Sequence, residues 1–189
     1  MTVELEAETS ALVLIDLQQG ILARPLSPHS AAEVLTAAVD LGDRFRAAGG
    51  TIVLVNVGFA ADGADRLRQP VDVSMPVPEG GLPPEWSELD PAVAALGGIR
   101  ITKRHWGAFH GTELDLQLRR RGIRSVVVAG VATNFGVEMT AREAWQNGYA
   151  VVVAEDACSA PAEGLHAFAV ERILPRVARV RRAAEITLA

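Results

Sequence analysis

Short apolar runs alternate along the chain with stretches of helical periodicity. The first run, Ala11–Ile15, is uninterrupted and ends in Asp16. A run without polar alternation reads as a strand buried on both faces, as in a parallel sheet covered by helices. Ser30-Ala31-Ala32-Glu33 has the form of a capping box and opens a predicted helix to about Ala48, with Leu35, Ala38, Leu41 and Phe45 at helical spacing. Gly49-Gly50 ends it, and Thr51–Val57 is the second strand. Ile99–Thr102 is a short third strand with Lys103 at its end. Thr112 with Asp115 predicts the cap of a helix to about Arg121, terminated by Gly122. Ser125–Ala129 is the fourth strand and leads through a turn into a helix from about Asn134 to Gln146, closed by Asn147-Gly148. Ala150–Ala154 is the fifth strand. Pro161 suits the first turn of a further helix to about Leu174. Arg176–Val180 reads as a short sixth strand, with Ala183–Leu188 packing at the end.

Strands alternating with helices predict one α/β domain over residues 1–189, a three-layer α/β/α doubly wound parallel sheet of six strands. Residues 58–98 interrupt the alternation with six of the ten prolines, several glycines and scattered acids. So long a loop in a compact domain is expected to be a lid, a binding loop or a subunit contact. Within it, Asp90-Pro91 can start a short helical turn.

In open α/β sheets, ligands collect at the carboxyl ends of strands, beside the positive N-termini of helices. That directs attention to Arg124–Glu138, RSVVVAGVATNFGVE, where a β-branched strand turns into a helix. The turn from Gly130 to Gly136 holds no strong acid, base or nucleophile. The nearest candidates come from other strand ends. Burial of Asp16 would raise its pKa, and a lysine such as Lys103 nearby would pull it down again.

Composition narrows the function classes. With 49% hydrophobic residues in 189, the chain can bury a sizeable single core. A net charge of −5 without a long basic run argues against nucleic acid as a partner. Arg119-Arg120-Arg121 is explained by the negative end of a predicted helix. No signal-peptide pattern and no membrane-length apolar run are present, and a single Cys158 excludes an internal disulfide; a cytoplasmic protein without membrane contact is expected. Cys158 reads as a small buried hydrophobe rather than a nucleophile. His29, His110 and His166 show no paired ligand spacing, so neither a metal nor a cofactor is expected.

The stretch GVATNFGVEMTAREAWQNGY resembles the signature of the isochorismatase-like hydrolases, or cysteine hydrolase superfamily, which includes nicotinamidases and N-carbamoylsarcosine amidases. ALVLIDLQQGIL and ITKRHWGAF agree at the expected spacing, so the resemblance extends over most of the chain. It implies the strand order 3-2-1-4-5-6, with strands counted as above, and a crevice shared by Asp16 and Gly136. In that family an Asp, a Lys and a Cys converge. The matching positions here are Asp16, Lys103 and, at the Cys position, Gly136, so the nucleophile is missing. Isochorismatases in the family carry Gly there too, because their reaction uses no thiolate. The resemblance also implies a cis Val131–Ala132 bond, an aromatic wall at Trp106, and substrate contacts from Gln19, Ala132 and Phe135. His105 is a neighbour rather than a base, and the Asp-x-His element of nicotinamidase metal sites is absent.

Gly136 admits two compatible readings: close approach of a helix start to backbone, and space for substrate beside an N–H that faces developing negative charge. Three functions follow. The first is acid-catalysed hydrolysis of an enol ether by Asp16 and Lys103, without a covalent intermediate. The second is an amidase in which Asp16 activates water; the third is a non-catalytic binding or assembly protein. The expected partner is a small, carboxylated metabolite, with Arg66, Arg68 and Arg104 as candidate carboxylate ligands. A homo-oligomer, dimer or tetramer, is also expected.

Overall fold

A computed structural model describes residues 1–74 and 81–189. Residues 75–80 of the long loop lie outside the described part. The strands, in chain order, are β1 (Val3–Leu5), β2 (Ser10–Ile15), β3 (Thr51–Val57), β4 (Ile99–Lys103), β5 (Ser125–Val131), β6 (Ala150–Ser159), β7 (Arg179–Arg181) and β8 (Ile186–Leu188). Six of them form one parallel sheet in the order β4-β3-β2-β5-β6-β7, which is the expected order. The helices are α1 (Gln19–Leu22), α2 (Ala31–Ala47), α3 (Pro91–Ala94), α4 (Leu114–Arg120), α5 (Glu138–Gln146) and α6 (Leu165–Phe168). Every residue of β2 is buried, so the centre of the sheet is covered on both faces. Right-handed crossovers achieve this by sending α2 and α5 to opposite sides.

Local chemistry accounts for most element boundaries. Ser30 and Glu33 make the capping box, with Glu33 N donating to Ser30 Oγ at 3.3 Å and Ser30 N to Glu33 Oε2 at 2.8 Å. The helix then buries Val34, Ala38, Leu41 and Phe45 against the sheet, while Leu35 lies at the edge of the core. Asp90 caps α3 by accepting from Ala92 N at 2.9 Å, as the Asp-Pro pair predicts.

Other boundaries differ from expectation. Leu114 N donates to Thr112 Oγ1 at 3.1 Å, but Asp115 takes no part in that cap. Its carboxylate instead accepts from Tyr149 Oη at 2.7 Å and Arg119 Nε at 3.2 Å. Strand β6 runs past Ala154 to Ser159 by bulging: from Val153 to Cys158 it advances five residues, while its partner β5 advances two, from Val128 to Gly130. Pro161 does not start a helix. Gly164, at φ +81°, closes a turn, and α6 begins after it. Pro175 sits in a short 3₁₀ turn through Arg176, which delays the sixth sheet strand to Arg179–Arg181. A small parallel pair, β1 with β8, joins the two ends of the chain, and Arg44 ties α2 to it by donating to the carbonyls of Ile186 and Ala183.

The chain runs outward from β2 through β3 to β4, then returns and continues from β5 through β6 to β7. The switch point therefore falls between the carboxyl ends of β2 and β5. At that point Gly130 adopts φ +123°, and a Cβ there would overlap the carbonyl of Ile15. Only glycine lets β5 approach β2 so closely.

Candidate active site

Asp16 follows the last residue of β2, with its backbone at φ +52° and its N–H donating to Val55 O at 2.8 Å. This uncommon left-handed conformation is one that Asp tolerates better than most residues. Lys103 ends β4, two strands away. Its Nζ donates to Asp16 Oδ2 at 2.7 Å and to His105 O at 2.9 Å. Both side chains are buried, at 2% and 6% exposure for lysine and aspartate. Burial dominates the electrostatics and raises the Asp16 carboxyl to about 6, while the charge and hydrogen bond of Lys103 oppose it. Asp16 Oδ1 is buried without a hydrogen-bond partner among the described residues.

The turn after β5 supplies the opposite wall. Val131–Ala132 is a cis peptide. The carbonyl of Ala132 then accepts from both Phe135 N at 3.1 Å and Val137 N at 3.2 Å, and the second of these bonds makes Thr133–Val137 a π-type turn. The wide turn carries Gly136 up to the ion pair. A Cβ on Gly136 would stand 3.3 Å from Asp16 Oδ2, 3.0 Å from Ile15 Cγ2 and 3.5 Å from Trp106 O. Asp16, Lys103 and Gly136 thus meet at the carboxyl end of the sheet. Trp106 and Phe135, both partly exposed, stack beside it with ring centroids 4.7 Å apart. Half-buried Ala132 lines the same turn. Asn134 was not among the expected residues, yet its Oδ1 is also buried without a partner among the described residues. Its place in the same turn was the available signal.

Gln19 does not join this group. It is exposed, and its amide faces Glu88 Oε2 at 3.5 Å. The inward residue is Gln18, fully buried, which accepts from Val57 N at 2.8 Å and donates to the carbonyls of Val57 and Trp86 at 3.0 and 2.9 Å. Gln18 fastens the end of the long loop to the carboxyl edge of the sheet. Leu89 bridges to Gln18, and Asn56 Nδ2 donates to Ser87 O at 2.9 Å. The described part of the loop therefore borders the strand ends.

The candidate arginines are engaged locally. Arg104 pairs with Asp65 at 2.6 Å, Arg66 lies over the Phe59 ring, and Arg68 donates to Gly63 O at 3.0 Å. Cys158 is buried on β6, where its thiol donates to Ala154 O at 3.2 Å and burial pushes it up to about 12. His105 Nε2 lies 2.7 Å from His110 O, while its carbonyl holds Lys103. His29 and His166, far apart in sequence, converge on Glu155.

Residues 10–185 match the model of the isochorismatase domain. The chain belongs to the isochorismatase family. It is 51% identical over 184 residues to the uncharacterized isochorismatase family protein YecD of Escherichia coli O157:H7, covering 97% of each chain. Identity to the uncharacterized isochorismatase family protein YwoC of Bacillus subtilis is 43% over 185 residues, covering 97% and 95%. A 73-residue segment, 39% of this chain and 29% of the relative, is 37% identical to the ureidoacrylate amidohydrolase RutB of Methylorubrum extorquens. Among solved structures, an isochorismatase family protein from Burkholderia thailandensis superposes with a TM-score of 0.91 at 42% identity, covering 98% and 97%. The N-carbamoylsarcosine amidase of Thermoplasma acidophilum gives 0.72 at 25%, covering 93% and 96%. This isochorismatase-family chain is a hydrolase, and no helix among its described residues is long and apolar enough to cross a membrane.

Proposed function

We propose that the protein hydrolyses an enol ether, or a related small carboxylated metabolite, by proton transfer from Asp16 and without a covalent intermediate. The observation that carries this reading is the state of Asp16. Its carboxyl is buried and raised to about 6, one oxygen is held by Lys103, and the other has no hydrogen-bond partner among the described residues. A value of about 6 leaves roughly a tenth of the molecules protonated at neutral pH, which suits a group that both gives and takes a proton. The residue facing it is Gly136, which offers no nucleophile, and the lone Cys158 is elsewhere with its proton held by burial.

In the reaction, Asp16 delivers its proton to the terminal vinyl carbon of the substrate. The oxocarbenium ion that forms sits beside the new carboxylate, which stabilises it electrostatically. Water adds to the cation and returns a proton to Asp16. The resulting hemiketal collapses to a carbonyl compound and an alcohol, with one water consumed. Lys103 keeps the carboxyl from rising further and orients it, while Gly136, without a side chain, lets its turn come close to Asp16 and Ile15. Trp106 and Phe135 form an apolar wall, and Asn134 Oδ1 offers an acceptor for a substrate hydroxyl.

The likeness to amidohydrolases supports a second reading, in which ionised Asp16 activates water against an amide or ureide. A panel of enol ethers, amides and ureides, assayed in deuterium oxide with wild type and Asp16→Asn, separates the two. The enol-ether route places one solvent deuteron on a carbon of the product. Turnover of amides without carbon deuteration would replace the first reading by the second.

A further inference from the structure

Outside the crevice, the described residues bring together one set of three metal-ligating side chains: His29, Glu155 and His166. They come from three separate elements. His29 lies in the loop before α2, which is clamped to the end of β6 by Ser27 N donating to Ala160 O at 2.8 Å and Ala160 N donating to Ser27 O at 3.0 Å. Ser159 Oγ donates to the carbonyl of His29 itself at 2.7 Å. Glu155 stands on the bulged segment of β6, and His166 lies in α6. The bulge that lengthens β6 beyond its sequence pattern is what turns Glu155 towards the two imidazoles.

We propose that these three residues form a binding site for a divalent transition-metal ion of the zinc class. His29 Nε2 is 3.8 Å and His166 Nε2 is 3.6 Å from the same oxygen, Glu155 Oε2, and the three ligand atoms all lie within 4.8 Å of one another. Those separations are too long for hydrogen bonds. Ligands about 2.0–2.2 Å from a tetrahedral zinc stand about 3.4 Å apart, so closure needs movements of only a few tenths of an ångström to about an ångström. Two imidazoles and one carboxylate, with water in the fourth position, form a donor set that suits Zn²⁺ and neighbouring ions better than Mg²⁺ or Ca²⁺.

The surroundings fit as well. His166 Nδ1 is 2.8 Å from Thr133 Oγ1, so Nδ1–H can donate to the hydroxyl and leave the Nε2 lone pair facing Glu155. A ring nitrogen fixed by an outer partner is the usual arrangement for a ligating histidine. Arg182 approaches the other carboxylate oxygen, Oε1, at 4.0 Å and leaves Oε2 to the ion. His29 and Glu155 are each about a quarter exposed, which gives the ion a path from solvent, while His166 closes the inner side. Thr133 also begins the turn that carries Gly136, so an ion here would brace one wall of the crevice without touching the reacting groups.

Isothermal titration of the EDTA-treated, full-length protein with Zn²⁺ tests the proposal, with Mg²⁺ and Ca²⁺ as controls and circular dichroism as the check of folding. One equivalent of Zn²⁺ should bind saturably and raise the Tm, and neither control ion should do so. His29→Gln, at a partly exposed position that the core does not need, should weaken Zn²⁺ binding by at least about 100-fold, as should Glu155→Gln. Thr133→Val, which removes the outer partner of His166, should weaken it by about 10- to 100-fold. Absence of stoichiometric Zn²⁺ binding by folded wild type would overturn the proposal. So would binding that persists unchanged in folded His29→Gln and Glu155→Gln.

Discussion

Replacing Asp16 by Asn keeps the shape of the side chain and removes its titration, which isolates what burial does to the carboxyl. In the folded protein Asp16 holds its proton up to about pH 6, whereas in the unfolded chain it releases it near its ordinary value of 3.8. Between these values the folded state binds more protons than the unfolded state. The stabilisation that the proton provides is therefore complete below the unfolded value and is lost as the pH rises through the folded one. A difference of that size is worth about 3 kcal/mol, at about 1.4 kcal/mol for each tenfold change. Urea unfolding of wild type and Asp16→Asn from about pH 3.5 to about pH 7 reads it directly, because the other carboxylates contribute equally to both proteins and cancel. Whatever constant offset the amide introduces beside Lys103, wild type should lose about 3 kcal/mol relative to the variant across that window. Activity adds a direction. If the protonated form donates, turnover falls as the pH rises through about 6; if the carboxylate activates water, turnover rises through the same value. A stability difference that stays flat with pH would falsify the raised carboxyl, and with it the proton donor.

Three further expectations follow from the glycines of the switch point and the lone thiol. Gly136→Cys places a thiol against Asp16 and Lys103 at a helix start, whereas Cys158 is pushed up to about 12 by burial. Even an ordinary thiol, near 8.5, would be more ionised at neutral pH by about three orders of magnitude, so iodoacetamide should label the introduced thiol far faster than Cys158. Labelling of Cys158 alone in folded protein would withdraw the placement of the crevice. In the same experiments Cys158→Ser should keep activity within a few-fold, since a hydroxyl can donate to Ala154 O in place of the thiol. Gly130→Ala would drive a methyl into the Ile15 carbonyl at a backbone angle that alanine avoids, so it should destabilise the fold by about 3 kcal/mol or more in thermal or urea unfolding. A near-neutral result there would mean that β2 and β5 are not so closely apposed.

The parts of the fold legible in the sequence are those that local chemistry determines. The apolar runs Ala11–Ile15 and Ser125–Ala129 announce the two central strands, and Ser30 with Glu33 marks the start of α2. Asp16 and Lys103 were visible at strand ends, and the family resemblance singled them out as a converging pair. The misses share a physical reason: each depends on a partner distant in sequence. Asp115 has the spacing of a capping residue, yet Tyr149 and Arg119 claim its carboxylate. The Gln18-Gln19 pair could have presented either amide, and the bridge to Leu89 turns Gln18 inward and Gln19 out. Strand β1 has three residues and a parallel partner at the far end of the chain, so no turn or periodicity marks it. His29, Glu155 and His166 have no ligand spacing because a bulge and two loop contacts, rather than one helix face, bring them together.

The buried ion pair bears most directly on whether the crevice is catalytic. A protein that only binds or assembles needs close packing at the switch point, and Asp16 with Lys103 is a poor way to achieve it. Two charges have been taken out of water, and replacement of such pairs by apolar residues of similar volume is often neutral or stabilising by about 1–4 kcal/mol. The Asp16 carboxyl is raised in the same direction, because burial outweighs the attraction of an ammonium only 2.7 Å away. Around it, the core is built from Leu12, Leu14, Ile15, Val55 and Val128, all essentially inaccessible to water, so apolar solutions to the same space are close at hand. An arrangement in which burial weighs against the ionised carboxyl and Asp16 Oδ1 finds no hydrogen-bond partner among the described residues gains little as architecture. The proposed proton transfer to a bound substrate gives each of those features a use.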